Sequence, residues 1–381
     1  MRIQVVEDLR ESRAVLKVIG VGGAGGNAIN RMAEAGIQGV ELIAANSDAQ
    51  DLRRSQAQVR IQLGEQLTKG LGVGGDAAKG RAAALESEDQ IREVLTGSDL
   101  VFITAGMGGG TGTGGAPVVA KLAKDLQILT IGVVTRPFEF EKLNRATIAE
   151  QGIQEMRQYV DTLLVIPNQR LLDVIEPDTT TEAAFRLADD VLRKSIQSIS
   201  DVITTPGEIN MDLNDIRAVM KDAGEALIGM GEASGAGRAL KAAKAAVQSP
   251  LLENVVMDGA KGLIVNITGR KNTLKLSEIE EAMGVIGGAA SPDAKIKNGH
   301  AYDESLGDAI RITVIATGFP PRRGNRNLFR AGLRGARHAR VLGAEGLRLE
   351  ELSEAPAAFG TAAPEDWMKP AFMRLKVRKL K

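Results

Sequence analysis

The 381-residue chain contains no cysteine and only two histidines, His300 and His338. Without cysteine there is no structural disulfide, no thiolate nucleophile and no cysteine-ligated zinc or iron–sulfur centre. Two histidines leave little for a histidine metal cluster or a Ser-His triad. No apolar run reaches the ~18 residues of a membrane span, and the charged start from Met1 to Ala14 does not read as a signal peptide. The expectation is a cytoplasmic globular protein whose chemistry rests on carboxylates, backbone amides and a bound ligand.

Glycine is abundant, 44 of 381 residues, about 12% against a usual ~7%, and lacks the every-third-residue period of collagen, so the excess belongs to particular loops. Charge is balanced at 48 basic and 48 acidic residues but unevenly placed. Arg322 to Arg340 carries seven Arg and no acid, Leu342 to Asp366 six acids and one Arg, and Trp367 to Lys381 six cations and no acid. The last 60 residues therefore form a cationic appendage of net +8 on an acidic body.

The first half reads as strands alternating with helices. Ala14–Gly20, Glu41–Ala45, Leu100–Ala105, Ile128–Val134 and Thr162–Ile166 are short apolar runs, and Asn27–Ala35, Asp76–Leu95, Ala116–Asp125 and Glu141–Tyr159 between them have helical periodicity. That alternation predicts a mostly parallel sheet covered on both faces, with ligands at the carboxyl ends of its strands. A T-x-x-E capping box, Thr179 and Glu182, opens one long amphipathic helix that ends before Pro206-Gly207. At roughly 25 residues it is about 37 Å long. A smaller α/β unit follows, with strands near Glu225–Met230, Gly262–Thr268, Ala294–Tyr302 and Ile310–Thr317 and helices near Gly237–Gln248 and Ser277–Val285. Beyond Phe319 the apolar period stops. The expected divisions are an N-terminal extension 1–13, a nucleotide-binding domain 14–178, a central helix 179–205, a C-terminal α/β domain 206–319, a disordered linker 320–366 and a basic tail 367–381.

Two glycine clusters stand at strand-to-helix junctions. Gly20-x-Gly22-x-x-Gly25, with Gly26 and Asn27, suits a phosphate at a helix amino terminus and taken alone also fits a dinucleotide site. The second, Gly106-Met-Gly108-Gly109-Gly110-Thr111-Gly112-Thr113-Gly-Gly115, follows a strand directly and has no lysine, so it is not a Walker A loop. A dinucleotide fold needs one such loop, whereas a triphosphate gripped from two sides uses two. The hydroxyls of Thr111 and Thr113 add donors.

At these residues the chain resembles the tubulin family and, through Val18 to Ala28, its bacterial branch, the FtsZ cell-division GTPases. The resemblance runs from about Lys17 to Phe319, with a short further match at Pro370-Ala-Phe372. It implies a tubulin/FtsZ-type GTPase domain, a long central helix and a smaller α/β domain. It also implies GTP or GDP as ligand, with Mg²⁺ bound through the phosphates and no dedicated protein metal site.

Residue by residue, the resemblance makes Gly22, Gly23, Ala24, Gly25, Gly26 and Asn27 the first phosphate loop and puts Asn46 and Asp48 in the second. Gly74, within Gly72–Gly75, falls in the third, and Gly108 to Thr113 form the fourth. Glu141 and Arg145 match a ribose-contacting pair, and Asn168, Phe185 and Asp190 a guanine pocket. Each also has a plainer reading: Glu141 and Arg145 suit a surface helix pair, Asn168 a strand-end turn and Phe185 a core position. Asn210, Asp212 and Asp215 match the loop that enters the next subunit's nucleotide pocket, although two acids at a helix start also serve as cap and dipole partner. The resemblance further implies head-to-tail filaments, a cytokinetic ring at mid-cell, membrane-tethering and regulatory partners for Trp367 to Lys381, and no nucleic acid. The rivals are a dinucleotide-dependent oxidoreductase, which the second loop disfavours, and a non-hydrolysing scaffold, which Asp212 and Asp215 disfavour.

Overall fold

Near-continuously apolar runs make strands buried on both faces, and the computed structural model of the chain contains them where the pattern places them. It describes residues 14–173, 175–176, 178–204, 211–252 and 259–319; Asn210, the extension 1–13, the linker 320–366 and the tail 367–381 lie outside the described residues. In chain order β1 (Leu16–Val21), α1 (Gly22–Glu34), β2 (Val40–Asn46), α2 (Ala49–Arg54), β3 (Val59–Gln62), α3 (Glu65–Thr68), α4 (Ala77–Glu86), α5 (Glu88–Leu95), β4 (Leu100–Gly106), α6 (Thr111–Asp125), β5 (Leu129–Arg136), α7 (Leu143–Met156) and β6 (Thr162–Pro167) make the first half. The long helix α8 (Thr181–Thr204) follows, then α9 (Leu213–Met220), β7 (Gly224–Ala233), α10 (Arg238–Val247), β8 (Gly262–Gly269), α11 (Leu276–Ala289), β9 (Lys295–Tyr302) and β10 (Ile310–Thr317).

The strands form one sheet in the order β3-β2-β1-β4-β5-β6-β7-β10-β8-β9. The first six are all parallel. β7 continues them through a short parallel pairing, Thr162 opposite Gly224 to Leu164 opposite Ala226, and then pairs antiparallel with β10. Because β1 is flanked by β2 and β4, the connections reverse direction there and leave a crevice at the carboxyl ends of those two strands, the usual ligand position in such sheets.

Successive strand residues feed opposite cores. Leu100 and Phe102 of β4 join α1 and α8 on one face, while Val101, Ile103 and Ala105 join α4, α5, α6 and α7 on the other. α8 buries Ala188, Leu192, Ile196, Ile199 and Val202 along one stripe, and the same core continues into Ile216 and Val219 of α9, Ile264 of β8 and Ile315 of β10. The central helix thus packs against both halves.

Four details differ from the sequence expectation. The strand β3 is only four residues long, too short to register as an apolar run. The expected helix 76–95 breaks at Ser87, whose hydroxyl donates to the Gln62 carbonyl and accepts from the Gly64 amide. The cap of α8 is Thr180 rather than Thr179, accepting from the Ala183 amide at 3.2 Å. Finally, α1 and α6 begin at Gly22 and Thr111, inside the glycine clusters, so those clusters supply the first helical turns.

Candidate functional site

The two glycine clusters meet back to back at the crevice. Gly22 has φ +74°, and a Cβ there would stand 2.7 Å from the Gly112 amide nitrogen. A Cβ on Gly25 would strike the Thr104 carbonyl of β4, and one on Gly110 the Val73 side chain and the Asp76 amide. Only glycine lets the α1 start, the turn after β4 and the Gly72–Gly75 loop close on one another.

The helix termini gathered there are unequal. Asp48 caps α2 and Asp76 caps α4 through their carboxylates, but α1 and α6 have no side-chain cap. Their first-turn amides are therefore left to a ligand, and with the helix dipoles they form a place for anionic groups.

The cleft over these termini measures about 600 Å³. Of the expected residues, Gly23, Ala24, Asn46, Asp48, Gly74, Gly109, Gly110, Thr111, Gly112, Glu141, Arg145, Asn168 and Phe185 line it. Asn46 is buried, its carbonyl oxygen accepting from the Asp48 amide and its amide facing Asp51. Thr111 and Ser47 share a 2.6 Å hydroxyl contact. Arg145 donates to Glu141 at 2.5 Å, and the other Glu141 oxygen accepts from the Phe138 amide at 2.8 Å, so this pair faces the cleft while tied to its wall. Phe185 lies edge-on to Phe138 and Phe140. Asn168 is buried with an unpartnered Oδ1.

Other expected residues do not line the cleft. Gly22, Gly25 and Gly108 shape it from behind, and Gly26 and Asn27 face a separate cavity of about 160 Å³ between α1 and α2. The Thr113 hydroxyl accepts from the Gly108 amide at 2.9 Å and its methyl side packs on Gly152 of α7, so it braces the loop from behind and does not line the cleft. Asp190 is turned away. It pairs with Arg193 at 2.7 Å and Lys194 at 3.0 Å; burial raises its pKa, but those two cations outweigh burial and hold it below the ordinary carboxylate value.

The neighbouring Asp189, which sequence reasoning missed, lines the cleft instead. Burial pushes its pKa up to about 7 against the opposing pull of Arg31. The Asp-Asp doublet hid which acid faces inward, since one residue of helix turns the side chain by about 100°.

Asp212 and Asp215 stand apart, at the start of α9 beyond the far end of α8. From Phe185 to Thr204 the helix covers about 28 Å. The Asp212 carboxylate caps α9 by accepting from the Asp215 amide at 2.8 Å, and Asp215 pairs with Lys297 of β9 at 2.5 Å. That ammonium holds the Asp215 carboxyl below its ordinary pKa.

Residues 15–176 match the Tubulin/FtsZ family GTPase domain and residues 224–320 the FtsZ family C-terminal domain. A solved empty FtsZ dimer from M. jannaschii is similar at 41% identity and TM-score 0.78, over 81% of this chain and 90% of that one. CetZ2 from Haloferax volcanii, a GTPγS-bound protofilament, superposes at TM-score 0.69 and 18% identity, over 86% of this chain and 99% of that one. CetZ1 from the same organism, a GDP-bound monomer, does so at 0.70 and 21%, over 84% and 99%. These last two share the fold.

Proposed function

The chain belongs to the Tubulin/FtsZ family of GTPases, and on that premise we propose that it polymerises head to tail and hydrolyses GTP at the junction between chains. The observation that carries this reading is the separation within one chain. The cleft gathers uncapped helix termini and the unpartnered Asn168 Oδ1, while Asp212 and Asp215 lie beyond the other end of α8; Asn210, expected beside them, is outside the described residues. A second chain would bring those acids to the first chain's cleft. Such a junction is heterologous and does not close, so it repeats into a filament. Exposed apolar residues at the cleft rim support a contact there, Leu71 at 82%, Leu143 at 79% and Phe140 at 60% exposure.

In this reading the amides of α1, α6 and the Gly72–Gly75 loop hold the phosphates, and Glu141 and Arg145 meet the ribose. Guanine lies by Phe185 and Asn168, with Asp189 in the role expected of Asp190. A carboxylate suits guanine because the ring N1–H and exocyclic amino group are both donors, which adenine lacks there. Among the described lining residues Arg145 is the sole cation, facing Asp48, Asp51, Glu141 and Asp189. In so acidic a lining Mg²⁺ carried on the nucleotide would offset the charge of the phosphates. Among the described residues no group of three or more His, Asp or Glu side chains is placed to hold a metal by itself.

The domain roles follow the sequence divisions: 14–178 binds nucleotide, 179–205 spans the distance and 206–319 presents the acids. The family places such filaments in a ring at the division site, and no described helix is long and apolar enough to cross a membrane. The tail 367–381 would then dock on a membrane-tethering partner, and its deletion is expected to leave GTP hydrolysis and sedimentation unchanged while abolishing recruitment to the membrane. The central experiment is phosphate release with GTP and with ATP across chain concentration. Turnover per chain should appear sharply above a threshold concentration and with GTP alone; turnover independent of concentration would refute a site shared between chains.

A further inference from the structure

Asp212 and Asp215 are held by different devices. The Asp212 carboxylate is fixed by its own helix, as the cap of α9. The Asp215 carboxylate accepts from the Asp212 backbone amide at the start of α9, but its charged partner lies elsewhere. That partner comes from 82 residues away, where Lys297 Nζ donates to Oδ1 at 2.5 Å.

Lys297 lies on β9, the edge strand, which pairs with β8 alone. Its position is set firmly by its neighbours. Gly299, two residues on and therefore on the same side of the strand, lies so close to α8 that a Cβ would come within 2.4 Å of Val202 and 3.2 Å of Met211. The backbone carrying Lys297 is thus pressed onto the junction of α8 and α9. Both partners keep solvent access, with the Lys297 side chain 41% and that of Asp215 33% exposed.

A half-exposed ion pair contributes little to folding stability, so stability explains little of this arrangement. Its chemistry suits the work proposed for Asp215. A free aspartate side chain samples several rotamers, and a carboxylate approaching a triphosphate meets like charge that favours its protonation. A cation fixed on one oxygen, together with the Asp212 amide, restricts the rotamers and keeps the carboxylate ionised while the group stays open to solvent.

We infer that Lys297 is a positioning residue for hydrolysis: it orients the Asp215 carboxylate and enters the neighbouring chain's cleft beside it. The inference rests on the proposed sharing of the site, and the test separates the two. Full-length Lys297→Met, Lys297→Arg, Asp215→Ala and the Lys297→Met/Asp215→Ala double variant are compared for steady-state phosphate release, for GTP affinity of the dilute chain, and for sedimentation with GTPγS.

With Lys297→Met, kcat per sedimented chain should fall about three- to tenfold, the size usual for coupled neighbours, while KM, GTP affinity and sedimentation hold. Lys297→Arg should recover most of the loss. The double variant should be no slower than Asp215→Ala alone. If Asp215→Ala is impaired but Lys297→Met turns over as fast as the parent or faster, Lys297 does not position the acid and the shared site stands. Losses that multiply in the double variant would assign Lys297 a role apart from Asp215. If Asp215→Ala turns over normally, the inference falls, while the shared site is still judged by Asp212→Ala and by the concentration dependence of turnover.

Discussion

The two ends of α8 are chemically unlike. At its amino end capacity is left over: Asn168 Oδ1 is buried without a partner, burial pushes Asp189 up to about 7 against the pull of Arg31, and α1 and α6 start without side-chain caps. At its carboxyl end the corresponding groups are satisfied within the chain, Asp212 as a cap and Asp215 by Lys297. Unmet hydrogen-bonding capacity in a buried place is costly and persists where a ligand meets it. Groups already oriented and still half exposed are ready to act on something brought to them. On the proposed reading one end receives and the other delivers, with about 28 Å of helix between them in one chain.

The strongest way to break that contrast is at the delivering end. Asp212→Ala is expected to lower steady-state GTP turnover by roughly 10²-fold or more, the scale for a positioned acid–base group, with GTP affinity of the dilute chain unchanged in a calorimetric titration. A parallel loss of affinity would put the two ends in one site.

At the receiving end Asp189→Asn is expected to weaken GTP binding by about 5- to 150-fold, corresponding to ~1–3 kcal/mol for an unmatched buried group. The pH dependence has a definite sign. Asp189 must be ionised to accept from two guanine donors, so GTP affinity of the parent chain should rise between pH 6 and 8, and that slope should flatten in the Asn variant. The empty folded chain binds this proton more tightly than the unfolded chain does. Its contribution to stability is therefore fully present below the ordinary Asp value near 4 and is lost as pH rises through about 7.

The smallest effect sharpens the assignment within the doublet. Asp190 contributes a partly exposed pairing with Arg193 and Lys194, so Asp190→Asn should change stability by about 1 kcal/mol or less and leave GTP affinity where it was. Equal losses of affinity for both Asn variants would mean that the helix presents both acids to the base.

Much of this architecture is legible in the chain itself. The short, near-continuously apolar run Leu100–Ala105, stopped by glycine, points to a strand covered on both faces, and the glycines that follow mark where backbone approaches a ligand, because both signals are local. Four-residue β3 carries too few side chains for a period, and the break at Ser87 depends on a hydroxyl reaching Gln62 and Gly64 from another part of the chain.

By itself the sequence determined the element order, the two glycine turns, the length of the central helix and the residue types available for chemistry, all set by neighbours a few positions apart. The tertiary structure alone decided which of those residues meet. It turned Asp189 rather than Asp190 into the cleft through helix phase and set the Thr113 hydroxyl to brace the Gly108 amide. It also carried the sheet without a break from β6 into β7 and brought Lys297 to Asp215 across 82 residues. Each of these rests on a side-chain direction or a strand register that forms only when distant segments pack, and no local pattern encodes that.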